Sequence, residues 1–192
     1  FALWPFSRGV AEDASLYAVH FLVEAKAAGF DVPADRLEAA LAWVRGRLDQ
    51  AISPNADEEE WREDMQARAY MCHILALAGR PDAGWNARLR EQSGKLNFAA
   101  RAHAASALLL AGEPRQALPL LESLVLPVAR PRSPGRLLDS DVRDAALLLS
   151  AWLDVDPENE AVARLVQYLR DRQQDGHWGN TQDDAFALLA FG

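Results

Sequence analysis

Apolar residues fall into segments of helical length, and the segments are of two kinds. Five are apolar almost all round: Ala14 to Ala28, Ala67 to Ala78, Ala99 to Ala111, Ala145 to Leu153 and Ala185 to Phe191. Others are one-faced. Leu37, Leu41, Val44 and Leu48 repeat at helical spacing with charges between them, and Val162, Leu165, Val166 and Leu169 form a second stripe in the segment beginning at Pro157. A helix apolar on every side is enclosed by protein, whereas a single stripe leaves the other side in water. The alternation predicts about nine helices, five inner and four outer, joined as consecutive hairpins in two layers.

The junctions repeat as well. Leu75-Ala76-Leu77-Ala78-Gly79-Arg80-Pro81 is echoed by Leu108-Leu109-Leu110-Ala111-Gly112-Glu113-Pro114. Glycine suits the left-handed residue that ends a helix, and the proline two positions on suits the first turn of the next. Ala27-Ala28-Gly29 with Pro33, and Asp154-Val155-Asp156-Pro157, are looser versions. The longest connector runs from Leu126 to Leu138, where Pro127, Pro131 and Pro134 oppose helix. Each hairpin needs its neighbours to bury its apolar face, so residues 1–192 are expected to form one domain. The two ends also echo each other. Phe1-Ala2-Leu3-Trp4 leads into Glu12-Asp13-Ala14, and Asp175-Gly176-His177-Trp178-Gly179-Asn180 leads into Thr181-Gln182-Asp183-Asp184-Ala185. The pattern predicts a Trp that plugs the gap between an outer and the next inner helix, with Thr181 and Asp184 as an N-cap pair.

Composition narrows the class further. Ala and Leu supply 64 of 192 residues, while Ile, Val and Thr together supply 14, so an all-α fold is expected. The net charge of −8 argues against a nucleic-acid partner, whose phosphates need cations. The basic run Arg130-Pro131-Arg132-Ser133-Pro134-Gly135-Arg136 reads as a solvated connector. The acidic run Asp57-Glu58-Glu59-Glu60 reads as the first turn of a helix, where carboxylates complement the dipole. The chain begins at Phe1 and stops at Gly192 within apolar helical sequence, with no signal peptide and no membrane-length apolar run. These ends suggest a piece of a larger protein.

Candidate chemistry is sparse. Cys72 and His73 are adjacent, so on a helix they point about 100° apart, and no second cysteine completes a thiolate site; Cys72 is expected to be a buried, inert thiol. His20 and His103 lie in inner segments as core histidines, and His177 lies in the Trp178 turn, where it could be exposed. Asp139-Ser140-Asp141 and Asp183-Asp184 invite comparison with the acid and metal motifs of toroidal cyclases. The first lacks the further aspartate of Asp-x-Asp-Asp and the second the third aspartate of Asp-Asp-x-x-Asp. Both sit at helix N-termini, where capping accounts for them. No catalytic, cofactor-binding or metal-binding residue is assigned.

The layered hairpins and terminal repeats resemble an α/α toroid. More specifically, the chain is similar along its length to the thioester (complement-like) domain of bacterial α2-macroglobulins. The likeness rests on Phe1-Ala2-Leu3-Trp4, on Tyr17 to Ala25 with Gly29-Phe30-Asp31-Val32-Pro33, on Ser140 to Leu147 and on Trp178 to Ala185. It implies an incomplete ring, the C-terminal part of that domain, with roughly three helices of about twelve absent on the N-terminal side. It implies a periplasmic or extracellular protease trap that captures proteases covalently where the parent carries an upstream Cys–Gln thioester, which some bacterial members lack. The fragment itself would be a scaffold without enzymatic activity, and its partners would be the trapped protease and other domains of the same chain. The Cys-x-Glu-Gln motif is absent here, Cys72 being followed by His73-Ile74-Leu75. No histidine stands in Pro5 to Val10, where the family's acyl-transfer histidine would fall. Exposed apolar faces on the first and last helices would favour self-association. The competing readings are a toroidal terpene cyclase or transferase with convergent carboxylates, and a helical-repeat interaction module.

Overall fold

A computed structural model describes residues 11–125 and 140–192 of the chain. Trp4, Asp139, the Arg130 to Arg136 run and the whole of the Leu126 to Leu138 connector lie outside the described residues.

Among the described residues the chain forms nine α-helices and no strand: α1 (Glu12–Ala27), α2 (Ala34–Leu48), α3 (Glu58–Leu77), α4 (Ala83–Glu91), α5 (Phe98–Leu110), α6 (Pro114–Glu122), α7 (Asp141–Val155), α8 (Glu160–Asp171) and α9 (Thr181–Phe191). A short 3₁₀ turn, Ser93–Lys95, precedes α5. The odd-numbered helices pack on one another in chain order, α1 on α3, α3 on α5, α5 on α7 and α7 on α9. Helices α2, α4 and α6 each pack on the two odd-numbered helices they join, and α8 packs on α7. This is the inner and outer layering of an α/α toroid. Since each outer helix returns the chain, the inner helices run in one direction and present their N-termini at one end.

Side-chain size explains the layering. On α5, Ala99, Ala100, Ala102, Ala104, Ala105 and Ala107 are all buried, so the helix is enclosed by neighbours that meet little more than methyl groups. Small residues let helix axes approach to about 8 Å, the short end of the usual range. The outer helix α2 buries only Leu37, Leu41, Val44 and Leu48, the stripe the sequence marks out. Burial of each such leucine or valine contributes about 1.5–3 kcal/mol.

The helix ends follow the expected chemistry with three corrections. Gly79 (φ +74°) and Gly112 (φ +79°) adopt the left-handed conformation. The Arg80 N–H then reaches the Leu75 carbonyl at 2.8 Å and the Gly79 N–H reaches Ala76 at 2.9 Å, closing the carbonyls left open at the end of α3. Asp57 caps α3 within a full capping box with Glu60. Pro114 is in the first turn of α6, but Pro81 stands before the Asp82 cap of α4 instead of inside the helix. Helix α8 starts at Glu160, capped by Asn159, and not at Pro157. Helix α9 is capped by Asn180, not by Thr181 with Asp184: the Asn180 side-chain oxygen accepts from the Gln182 and Asp183 N–H groups at 2.9 and 3.0 Å. Asparagine stands at the extended residue, so its short acceptor reaches both amides, while Thr181 is already helical.

Candidate functional site

The inner helices bring the scattered polar residues of the apolar-looking segments to the axis of the arc. Tyr17 and His20 come from α1, Tyr70 and His73 from α3, His103 from α5, Arg143 from α7 and Gln182 from α9. The rings of Tyr70 and His103 stand 4.6 Å apart, those of His73 and His103 5.3 Å, and those of His20 and His73 5.4 Å. His20 Nδ1 lies 2.8 Å from the Tyr70 hydroxyl, and its Nε2 lies 3.5 Å from Glu24 one turn on. With the Nε2 proton turned to Glu24, Nδ1 accepts the Tyr70 hydroxyl. That bond from His20 also holds the Glu24 carboxyl below its usual range.

Burial decides what this cluster can do. It pushes the Tyr70 phenol well above its ordinary value and pulls His73 down to about 3, with the His20 ring adding to the second effect. His103 is drawn well below the usual imidazole range for the same reason, helped by His73. His73 and His103 are therefore uncharged and Tyr70 protonated at neutral pH. These shifts run opposite to those that poise a general base near neutrality. The geometry suits packing and internal hydrogen bonding across five helices rather than proton transfer.

Cys72 and His73 part as helical geometry demands. His73 faces the axis, while Cys72 is fully buried on another side of α3, its thiol pushed up to about 12 by burial and by Asp82. A thiol so raised is neither nucleophile nor metal ligand at neutral pH.

The three described aspartates of interest are brought to separate tasks. Asp141 does not cap: Ser140 does, accepting from the Arg143 N–H at 3.0 Å. Asp141 instead accepts from Arg172 Nε at 2.8 Å and from the Tyr168 hydroxyl at 2.9 Å, tying α7 to α8. Burial opposes its ionisation, but these two bonds together keep the carboxyl below its ordinary value. Asp183 is buried and accepts from Ser140 and Asn180, joining the start of α9 to that of α7. Asp184 accepts from the Trp178 N–H at 2.6 Å, with the His177 ring 3.3 Å away. His177 is 74% exposed. Trp178 fills the gap as the sequence predicts. It is buried, its indole N–H donates to the Leu169 carbonyl at 2.8 Å, and its ring stacks 6.1 Å from Phe191. Among the described residues no three His, Cys, Asp or Glu side chains are grouped to hold a metal ion.

Two clefts flank this frame. One of about 290 Å³ is lined by Glu12, Asp13, Glu60, Glu63 and Asp64, with Arg47 bound to Glu12. The other, of about 410 Å³ between α4 and α6, is lined by Arg90, Arg101 and Arg115 and by no acidic residue. The sequence gives no local signal for the second, because its arginines are separated by 11 and 14 residues and meet only through the helix packing. On the remaining surface Phe21, Leu188, Leu189 and Phe191 are exposed on α1 and α9.

The described helices thus define an α/α toroid with a filled axis. Solved structures of bacterial α2-macroglobulins have the same fold. Salmonella α2-macroglobulin reacted with methylamine matches 99% of this chain at a TM-score of 0.80 and 22% identity, over 13% of its own length. Escherichia coli α2-macroglobulin activated by porcine elastase matches 99% of the chain at 0.78 and 22%, over 17% of its length. An Escherichia coli structure spanning domain MG7 to the C-terminus matches 99% at 0.76 and 20%, over 30% of its length. The chain thus spans less than a third of each of these proteins. No family model and no curated protein sequence matches it.

Proposed function

We propose that this chain is the scaffold part of the thioester domain of a bacterial α2-macroglobulin-like protease inhibitor, and that it performs no catalysis itself. The reading rests on one observation, the match of 99% of the chain to bacterial α2-macroglobulins at TM-scores up to 0.80. The chemistry of the site agrees with it. Cys72 is a core thiol, His73 and His103 are neutral, and Asp141, Asp183 and Asp184 each serve a helix contact. In this role the domain supports and shields an upstream thioester where the longer chain carries one, the partners are captured proteases and the other domains of that chain, and the location is periplasmic or extracellular. No helix among the described residues is long and apolar enough to cross a membrane.

The test is a chimera. The matching region of Escherichia coli α2-macroglobulin is replaced by this chain, and the product is exposed to elastase. A chimera that retains elastase in an adduct stable to denaturant supports the reading. One that melts like the parent yet retains none overturns it.

A further inference from the structure

Most arginines among the described residues are paired. Arg36, Arg45, Arg47, Arg62, Arg68 and Arg80 each face a carboxylate. Arg143, Arg164 and Arg172 do likewise. Arg88, Arg90, Arg101, Arg115 and Arg170 are the exceptions, and three of these, Arg90, Arg101 and Arg115, line one cleft. None of the three makes an ion pair among the described residues. In a chain of net charge −8, three uncompensated guanidiniums facing one space are a concentrated departure from the average field.

The cleft is also organised. Arg115, Gln116, Pro119, Leu120 and Ser123 recur at helical spacing along one face of α6. Gln116 accepts from Arg90 and so steadies its fork. Arg101 reaches in from α5, with Nη1 3.3 Å from Ser123 Oγ, while the Ser123 hydroxyl donates to the Leu120 carbonyl at 2.6 Å. The Arg101 Nε is buried without a partner. A carboxylate entering the cleft would meet the planar forks of these arginines in the bidentate geometry that guanidinium favours.

We infer that the cleft between α4 and α6 binds an acidic peptide segment, whose carboxylates pair with Arg90, Arg101 and Arg115 while an apolar side chain rests on Pro119 and Leu120. The apolar contact that Pro119 and Leu120 add to the lining favours a peptide over a bare anion. The negative charge of the rest of the chain disfavours a long polyanion such as nucleic acid. The site is independent of the protease-trap reading, since it needs only this chain and its ligand.

The experiment titrates the full chain into a fluorescein-labelled Glu–Leu repeat peptide at low salt and follows anisotropy, with a Gln–Leu peptide as the neutral control. Arg115 is exposed, so Arg115→Glu should fold normally, and a thermal melt checks this. Arg115→Glu and Arg90→Glu are each expected to weaken the acidic peptide about tenfold, the scale of one charge-assisted contact reversed in sign. Arg170→Glu, at an exposed position on α8, is expected to leave binding unchanged. Saturable binding of the Glu–Leu peptide alone, lost in the cleft variants and weakened by salt, supports the site. Absence of binding, equal binding of the Gln–Leu peptide, equal loss in Arg170→Glu, or displacement of the peptide by millimolar inorganic phosphate or by a short single-stranded oligonucleotide overturns it.

Discussion

Gln182 on α9 donates its side-chain amide to the hydroxyl of Tyr17 on α1, across 165 residues of chain. The Tyr17 ring also meets Phe186 edge-on at 5.9 Å, so one side chain of the first inner helix holds the last. The Gln182 Oε1 is buried without a partner, which makes the amide depend on its single bond to Tyr17. Tyr17→Phe is expected to lower stability by about 1–3 kcal/mol, the cost of stranding a buried donor. Tyr17→Phe/Gln182→Leu should recover part of that loss, because both polar groups leave together. Urea melts measure both, and a Tyr17→Phe protein as stable as the parent would remove the contact from the account.

The axial histidines give stability a direction in pH. His73 and His103 have folded values pulled below the 6.5 of the free side chain, His73 to about 3, by burial. Above about pH 6.5 they are neutral whether folded or unfolded and contribute no pH dependence. As pH falls from there toward 3 the unfolded chain takes up protons that the folded core refuses, so stability drops. The slope is about 1.4 kcal/mol per pH unit for each histidine. His73→Leu should flatten the curve by about one such slope between pH 6 and 4. An unchanged slope would mean that His73 titrates normally in the fold.

The Cys72 thiol, raised to about 12 and fully buried, is expected to resist Ellman's reagent at pH 8 in the folded protein and to react at once in guanidinium. Rapid labelling of the native chain would show that the thiol is reachable and ionised.

Two glycines should answer alanine with opposite signs. Gly46 lies within α2, and a Cβ there would meet nothing within 4 Å. Gly46→Ala should stabilise by about 0.5–1 kcal/mol through the entropy of the unfolded chain. Gly79 is equally uncrowded but has φ +74°, so Gly79→Ala should destabilise by about 1 kcal/mol from backbone conformation alone. Melting temperatures moving the same way would contradict the assignment of the α3 terminus.

The exposed Phe21, Leu188, Leu189 and Phe191 on α1 and α9 lead us to expect concentration-dependent self-association of the isolated chain. Light scattering should show a mass that rises with concentration and returns to one chain in Phe21→Ser/Leu188→Ser. A constant monomer mass for the parent would count against it.

Much of the fold is legible because helix formation depends on local spacing. The stripe from Leu37 to Leu48, the box at Asp57 and Glu60, and the glycines at 79 and 112 each carry their own signal. The cap of α9 stands one residue before the one the sequence suggests, since Asn180 and Thr181 are both good caps and only the backbone decides between them. The axial cluster was not legible as a cluster. His20, Tyr70, His103 and Arg143 sit singly in segments dominated by Ala and Leu, and only the rotation of each helix in the ring brings them together. The same holds for Asp141 and Arg172, paired across 31 residues.

The alanines of α5 set more than local packing. Because methyl groups fix how closely α3 and α7 approach that central helix, they act as spacers that write the curvature of the arc. A larger residue at Ala102 or Ala105 would open the arc as a wedge opens a ring, and the displacement would accumulate toward its ends. The Tyr17–Gln182 bond then serves as a caliper. Its length reports, at the two extremities, a change of thickness made at the middle rib.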